Sequence, residues 1–250
     1  MKRFTLEEFE KFLKGIDLAA YREKYSRTKI VEMDLDQNIQ ALETVYEQYW
    51  DNIDDRDTPL SFEDYYKIYL DVNGKNIKEF RKKVCFGEHC DCFDRGLEAR
   101  IYRTWSALIT QIHGGLVAES IFGKNSVKMS AELDRKKIDI LVEKRDGNDE
   151  LHFQVKKNTK RPEIARMHKN VENENGNIDL VYLVPSSDEY DYPYYKKSGN
   201  GFKKGDIKPF TKLFIKWNPE HGILDRLDNG FVVFTKNAFL GLEEKKRSDM

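Results

Sequence analysis

The sequence predicts an α/β protein in which a mixed sheet is flanked by helices and preceded by a mainly helical N-terminal region. Three observations support this. The first part of the chain repeats apolar residues at three- and four-residue spacing, the helical period. Beyond Gly96 a long helical stretch gives way to short apolar runs of strand length. From there the order is helix, strand, strand, strand, helix, strand, which describes a sheet layered with helices. The expected organisation is a helical region over residues 1–93 packed on a core over residues 94–250, together one structural unit.

Residues 5–15 (TLEEFEKFLKG) place Leu6, Phe9, Phe12 and Leu13 on one helical face, with Thr5 as the N-cap. Residues 36–50 continue helically through Ile39, Leu42, Val45, Tyr46 and Tyr49. A further helix starts at Ser61, a capping serine ahead of FEDYYKIYL. The longest helical signal is 94–121, apolar at Leu97, Ile101, Trp105, Leu108, Ile109 and Ile112. Gly114-Gly115 interrupts it and predicts a kink or a break into two helices. Strands are expected around Val127–Met129, over Ile138–Glu143 and over Leu151–Lys157, with a reversal at Arg145-Asp146-Gly147-Asn148-Asp149. Residues 162–172 suit a helix with Pro162 in first position, and IDLVYLV (178–184) suits a strand covered on both faces. FVVF (231–234), after Asp228-Asn229-Gly230, is expected as a late edge strand.

With 39% hydrophobic and 12% aromatic residues the chain is too apolar to be disordered, despite a charged fraction of 35%. No apolar run approaches the ~20 residues of a membrane span, and the N-terminus turns acidic too early for a signal peptide. A soluble, cytoplasmic protein is expected. The net charge of −1 hides an asymmetry, because residues 1–95 sum to −5 and residues 96–250 to +4. Lys156, Lys157, Lys160, Arg161, Arg166 and Lys169 face only Glu163 in their stretch, and seven lysines between Lys196 and Lys216 face only Asp206. Such stripes can follow a phosphate backbone, although charge runs are also ordinary solvated surface. Cys85, His89, Cys90 and Cys92 lack the paired spacing of structural zinc sites and read as thiols in a reducing compartment, with metal binding a minor alternative.

The stretch with chemical content is AELDRKKIDILVEKRDGNDELHFQVKKNTKR (131–161). Asp139 lies in one expected strand, and Gln154 and Lys156 lie on the next. Residues two apart in a strand share a face, so Gln154 and Lys156 project together. The reversal brings that face beside Asp139 and the carbonyl of Val155. A hard Mg²⁺ takes oxygen ligands and keeps several waters, and a bound metal activates water and stabilises a phosphoryl centre. Lys156 is suited to orienting or deprotonating the attacking water, or to stabilising the pentavalent transition state. The pattern D-x14-Q-x-K resembles the PD-(D/E)xK nuclease signature, with glutamine in place of the usual second acid. Asp134, Glu132 and Glu98 are available to supply that acid. The number of metal ions stays open.

GLEARIYRTW (96–105), ITQIH (109–113), the Glu132–Asp134–Asp139 grouping, QVKKNTKRPEIAR (154–166) and NGFVVF (229–234) resemble the TaqI-family type II restriction endonucleases. DLAAYREKY (17–25) and LETVYEQYW (42–50) resemble the same family's amino-terminal region. The resemblance implies a PD-(D/E)xK nuclease-like core and a homodimer that uses Mg²⁺ to cut double-stranded DNA at a short palindrome, TCGA in the family. It also implies a cognate DNA methyltransferase as functional partner. The family's acidic pair falls on Asp134 and Asp139, and its lysine on Lys156 or Lys157. Strand alternation favours Lys156. The sequence departs from the family at Asn158, where relatives tend to carry an acid, and matches poorly between residues 186 and 225.

The expected catalytic set is therefore Asp139, Lys156, Gln154 and Asp134, and the expected metal ligands are Asp139, Asp134, Glu98 and the carbonyl of Val155. Lys157, Lys160, Arg161, Arg166, Arg103, Lys196 and Lys197 are the expected DNA contacts. His113 reads as a satisfied polar residue at the helix break and not as a catalyst. From the residues alone a junction-resolving or repair nuclease of the same fold, or a non-catalytic DNA-binding module, remains an alternative.

Overall fold

The first helix begins where its sequence provides a cap. Thr5 Oγ1 accepts the Glu8 N–H at 3.2 Å, and the Thr5 N–H donates to Glu8 Oε2 at 2.7 Å. This closed capping box satisfies two backbone donors that a helix start leaves orphaned, and α1 runs Leu6–Lys14. A second short helix, α2 (Leu18–Tyr25), follows, with the Ala20 N–H donating to Asp17 Oδ1 at 2.9 Å. The sequence pattern marks no helix there because α2 buries no side chain and so lacks an apolar stripe. The computed structural model describes residues 3–25, 41–51, 53, 56–84, 91–143, 150–158, 178–183, 213–214 and 224–239.

Helix α3 (Ala41–Tyr46) continues directly into a π-helical turn, Glu47–Asp51. The regular helix expected through residue 50 is therefore widened at its end. Both Tyr49 and Trp50, neighbours in sequence, are buried there to 1% exposure. Ser61 caps α4 (Phe62–Val84) as expected, accepting the Asp64 N–H at 3.1 Å. Helix α5 (Asp91–Phe122) is a single helix of 32 residues. The break expected at Gly114-Gly115 does not occur. A Cβ at Gly114 would stand 3.2 Å from Ile140 Cδ1 and 3.2 Å from Phe234 Cδ2. Glycine serves close packing here, and the neighbours it admits offset its low helix propensity.

The chain divides into two compact units, Met1–Ile112 with Asp228–Phe231, and His113–Leu227 with Val232–Met250. The division lies inside α5. Leu97, Ile101 and Trp105 are buried in the aromatic core of the first unit, which fixes the front of α5 to the helical region. That core joins Phe9, Tyr49, Phe62, Tyr65 and Trp105. Trp105 Nε1 donates to Tyr49 Oη at 2.8 Å, and Tyr49 Oη donates to the Leu60 carbonyl at 2.9 Å.

The second unit holds a five-stranded mixed sheet in the order β1 (Val127–Lys128), β2 (Ile140–Glu143), β3 (Glu150–Asn158), β4 (Ile178–Leu183), β5 (Leu213–Phe214). β1, β2 and β3 pair antiparallel, whereas β3, β4 and β5 pair parallel. A short helix, α6 (Ala131–Arg135), capped by Ser130, separates β1 from β2. Val127, Ile140, Val142, Leu151, Phe153 and Val155 share one sheet face by register and are all buried. Phe153 meets Phe239 edge-on at 5.3 Å on that side. The expected late strand exists as β7 (Val232–Phe234), but it pairs with β6 (Leu224–Arg226) in a separate two-stranded sheet. The helix expected over residues 162–172 lies outside the described residues.

Candidate active site

Asp139 stands at the start of β2, where the chain leaves α6 and joins the sheet. Its side chain is only 4% exposed. Two bonds tie it to β3: its N–H donates to the Phe153 carbonyl at 2.8 Å, and its Oδ2 accepts the Val155 N–H at 2.5 Å. These bonds bracket Gln154. A charge-assisted hydrogen bond of this kind contributes about 1.5–3 kcal/mol, and a buried carboxylate requires such partners.

The register extends the same geometry. The antiparallel ladder ends at Ile140 paired with Phe153, and the Asp139 N–H reaches the Phe153 carbonyl from one residue before that pair. Alternation along β3 places half-buried Gln154 on the face away from the Phe153 core. Position 156 lies two residues further along β3, in register with Val181 of β4. The N–H and C=O of one strand residue point to the same side of the strand. Because the Val155 N–H points to Asp139, the Val155 carbonyl opens to that side as well. The Asp139 carboxylate and the Val155 main chain therefore meet just before β2, on either side of the bonds that bracket Gln154.

The other expected residues divide clearly. Asp134 sits half-buried in α6, five residues before Asp139 on the segment that leads into β2. Glu98 belongs to the first unit, where Lys24 Nζ donates to its Oε1 at 2.6 Å and Tyr25 Oη donates to the same oxygen at 3.1 Å. Its carboxylate thus serves an ion pair within the helical region. Arg103 is exposed on α5. The main chain places Lys157 opposite Tyr182, one residue out of phase with Lys156. Lys160, Arg161, Arg166, Lys196, Lys197, Cys85, His89 and Cys90 lie outside the described residues, and Cys92 is placed by its backbone at the start of α5. His113 is fully buried on α5.

Alternation along β3 also brings in residues that the sequence pattern did not single out. Positions 150, 152 and 154 share a face, and His152 Nε2 lies 3.0 Å from Glu150 Oε2 there. Across the ladder Glu143 pairs with Lys128 of β1. The two-residue spacing that marked Gln154 and Lys156 was sufficient to include His152.

The chain matches the TaqI restriction endonuclease family over residues 6–245. It belongs to that family. The match covers both units, so it does not rest on the Asp139 neighbourhood alone. The chain is 29% identical over 241 residues to the type II restriction enzyme TaqI of Thermus aquaticus, spanning 96% of this chain and 87% of that one. It is 28% identical over 243 residues to the type II restriction enzyme TthHB8I of Thermus thermophilus, with the same coverage. No solved structure matches it. The chain is thereby an enzyme of the type II restriction endonuclease class, and Asp139 is a buried acid of a family whose work is cutting DNA. No helix among the described residues is long and apolar enough to cross a membrane.

Proposed function

We propose that this TaqI-family enzyme makes Mg²⁺-dependent double-strand cuts at a short DNA palindrome, TCGA by family resemblance. In this reading it works as a homodimer with a PD-(D/E)xK-like core, alongside a cognate methyltransferase that protects the same site. The observation that carries the reading is the buried Asp139 carboxylate, which accepts the N–H of Val155, the residue after Gln154 on β3. Among the described residues no three His, Cys, Asp or Glu side chains converge to hold a metal by themselves. The donors at the β2 start are nonetheless all oxygens of the kind a hard cation prefers, and Mg²⁺ completes its shell with water and phosphate.

Asp139 and the Val155 carbonyl would hold the ion, with Asp134 as the further acid. When bound, the ion lowers the pKa of a coordinated water and offsets charge on the scissile phosphate. Gln154 orients the phosphate or its water through its amide. Lys156 supplies the cation on the same strand face and holds or moves a proton at its Nζ. Lys157, Lys160, Arg161, Arg166, Arg103, Lys196 and Lys197 are assigned to the DNA backbone, which fixes register without reading sequence. Glu98 is left out of the metal set because Lys24 and Tyr25 engage it.

Digestion of unmethylated plasmid with Mg²⁺, followed by sequencing of the ends, tests the reading. Discrete fragments with ends inside TCGA are expected. Cleavage that follows DNA structure instead of sequence would overturn it.

A further inference from the structure

We propose that Asn229 is an ageing site: its amide, part of an Asn-Gly pair, is lost by intramolecular deamidation when the clasp it makes on the end of α1 opens, and the product cannot close that clasp again. Asparagine followed by glycine is the pair most open to this reaction, because glycine has no Cβ to shield its main-chain nitrogen. The chain carries four such pairs, beginning at Asn73, Asn175, Asn200 and Asn229. Asn175 and Asn200 lie outside the described residues. Asn73 is buried inside α4, where the helical ladder fixes the Gly74 nitrogen. Asn229 stands instead in the turn between β6 and β7, where it and Gly230 are half-buried and Gly230 has a φ of 87°.

Both polar atoms of the Asn229 side chain are engaged. Nδ2 donates to the carbonyls of Leu13 at 2.7 Å and Ile16 at 2.8 Å, and it stands 3.3 Å from the carbonyl of Lys14. A helix end leaves such carbonyls short of partners. Oδ1 accepts the Phe231 N–H at 3.0 Å. Asn229 and α1 belong to the same unit although more than 200 residues of chain separate them. The amide is thus a long-range clasp within the first unit.

The same bonds restrain the chemistry. Ring closure requires the amide carbon to rotate onto the Gly230 nitrogen, and the clasp holds the side chain in one rotamer. Once the turn opens, the Gly230 nitrogen bonds to Asn229 Cγ, the Cγ–Nδ2 bond breaks, and Nδ2 leaves with the displaced proton as ammonia. Water then opens the succinimide to aspartate or isoaspartate, so no further reactant is needed. The rate follows the population of the locally opened turn. An aspartate at this position has no N–H to offer and sets a negative charge against carbonyl oxygens that have lost their donor. Opening permits the reaction, and the reaction prevents closing.

The test uses the full chain, incubated in mildly alkaline buffer either folded or in urea, with conversion at each Asn-Gly pair followed by peptide mapping. Conversion at Asn229 is expected to be at least about tenfold slower in the folded protein, the protection that a sparsely opened turn gives. Aged folded protein should develop a second, lower unfolding transition that grows in step with conversion at Asn229 and not with conversion at Asn175 or Asn200. Asn229→Asp, which carries the product side chain, is expected to lower Tm by roughly 5 °C. Equal rates at Asn229 in the folded and unfolded chain overturn the proposal, and so does an Asn229→Asp variant that melts at or above the wild-type Tm. Where Asn229→Asp does not fold, the two rates measured on wild-type protein decide alone. None of these readouts involves DNA or metal, so their outcome is independent of the nuclease reading.

Discussion

The two units use carboxylates in opposite ways. In the helical unit, Glu63 accepts Tyr21 Oη at 2.7 Å, and Glu98 accepts Lys24 and Tyr25. Those acids accept bonds from phenols and an ammonium, and they hold α2 in place through its part-buried Tyr21 and Tyr25. In the sheet unit, Asp139 is more deeply buried, and its carboxylate reaches a main-chain N–H. An acid surrounded by side-chain donors is structural. The Val155 main chain instead holds the Asp139 carboxylate against β3.

The sharpest way to break the comparison is to remove one acid from each unit. Asp139→Ala and Lys156→Ala are each expected to reduce Mg²⁺-dependent cutting by about 10³-fold or more, in line with the loss of a principal electrostatic group, while DNA binding in EDTA persists. If either variant cuts at the wild-type rate, the assignment of that residue fails. Glu98→Gln, the counterpart in the helical unit, is expected to leave cleavage intact.

Packing gives the next largest effects. Gly114→Val places methyl groups against Ile140 and Phe234 and is expected to destabilise by about 1–3 kcal/mol, the range for overpacking, read as a lowered midpoint in denaturant. In the first unit Asn229 Nδ2 donates to the carbonyls of Leu13 at 2.7 Å and Ile16 at 2.8 Å, and its Oδ1 accepts the Phe231 N–H at 3.0 Å. Asn229→Ala leaves those groups without their partner and is expected to lose about 1–3 kcal/mol. A change under about 0.5 kcal/mol would show that water replaces the amide.

Alkaline titration separates the units through their tyrosines. Burial pushes Tyr102 up to about 12 against the opposing charge of Arg22, and burial together with Glu63 or Glu98 raises Tyr21 and Tyr25 further. Unfolded tyrosines lose their protons near pH 10, while the folded ones keep them. Between pH 10 and 12 the folded state therefore binds more protons, and stability falls as pH rises. Absorbance at 295 nm should show a late, cooperative step coincident with loss of helical circular dichroism. A simple titration near pH 10 would contradict the burial of this cluster. The smallest effect expected is on stability from Glu98→Gln, at most about 1 kcal/mol, since its ion pair with Lys24 is partly exposed.

Much of this was legible in the chain itself. Thr5 and Ser61 marked their helices because capping is a local hydrogen-bonding requirement. The strands over 140–143, 150–158 and 178–183 followed from apolar period and run length. Alternation put Gln154 with Lys156 on one face of β3, and the expected reversal brings β2 and β3 together in an antiparallel pair next to Asp139. Two features depended on residues far away in the sequence. Gly114-Gly115 suggested a break because propensity is a local quantity, whereas Ile140 and Phe234 come close to Gly114 only in the fold. Glu98 was a candidate ligand by its residue type, and its partner Lys24, 74 residues away, could not be read from the pattern.

The sequence by itself determined the helix starts, the order of elements and which residue types meet on one strand face, because these depend on neighbours within a few positions. Its family-like blocks determined the class of enzyme. Only the tertiary structure decided that α5 runs unbroken, that Glu98 accepts Lys24 and Tyr25, that Asp139 bonds Val155 and that Asn229 clasps the end of α1. Each of those depends on a partner set by packing, and residue type alone does not specify it.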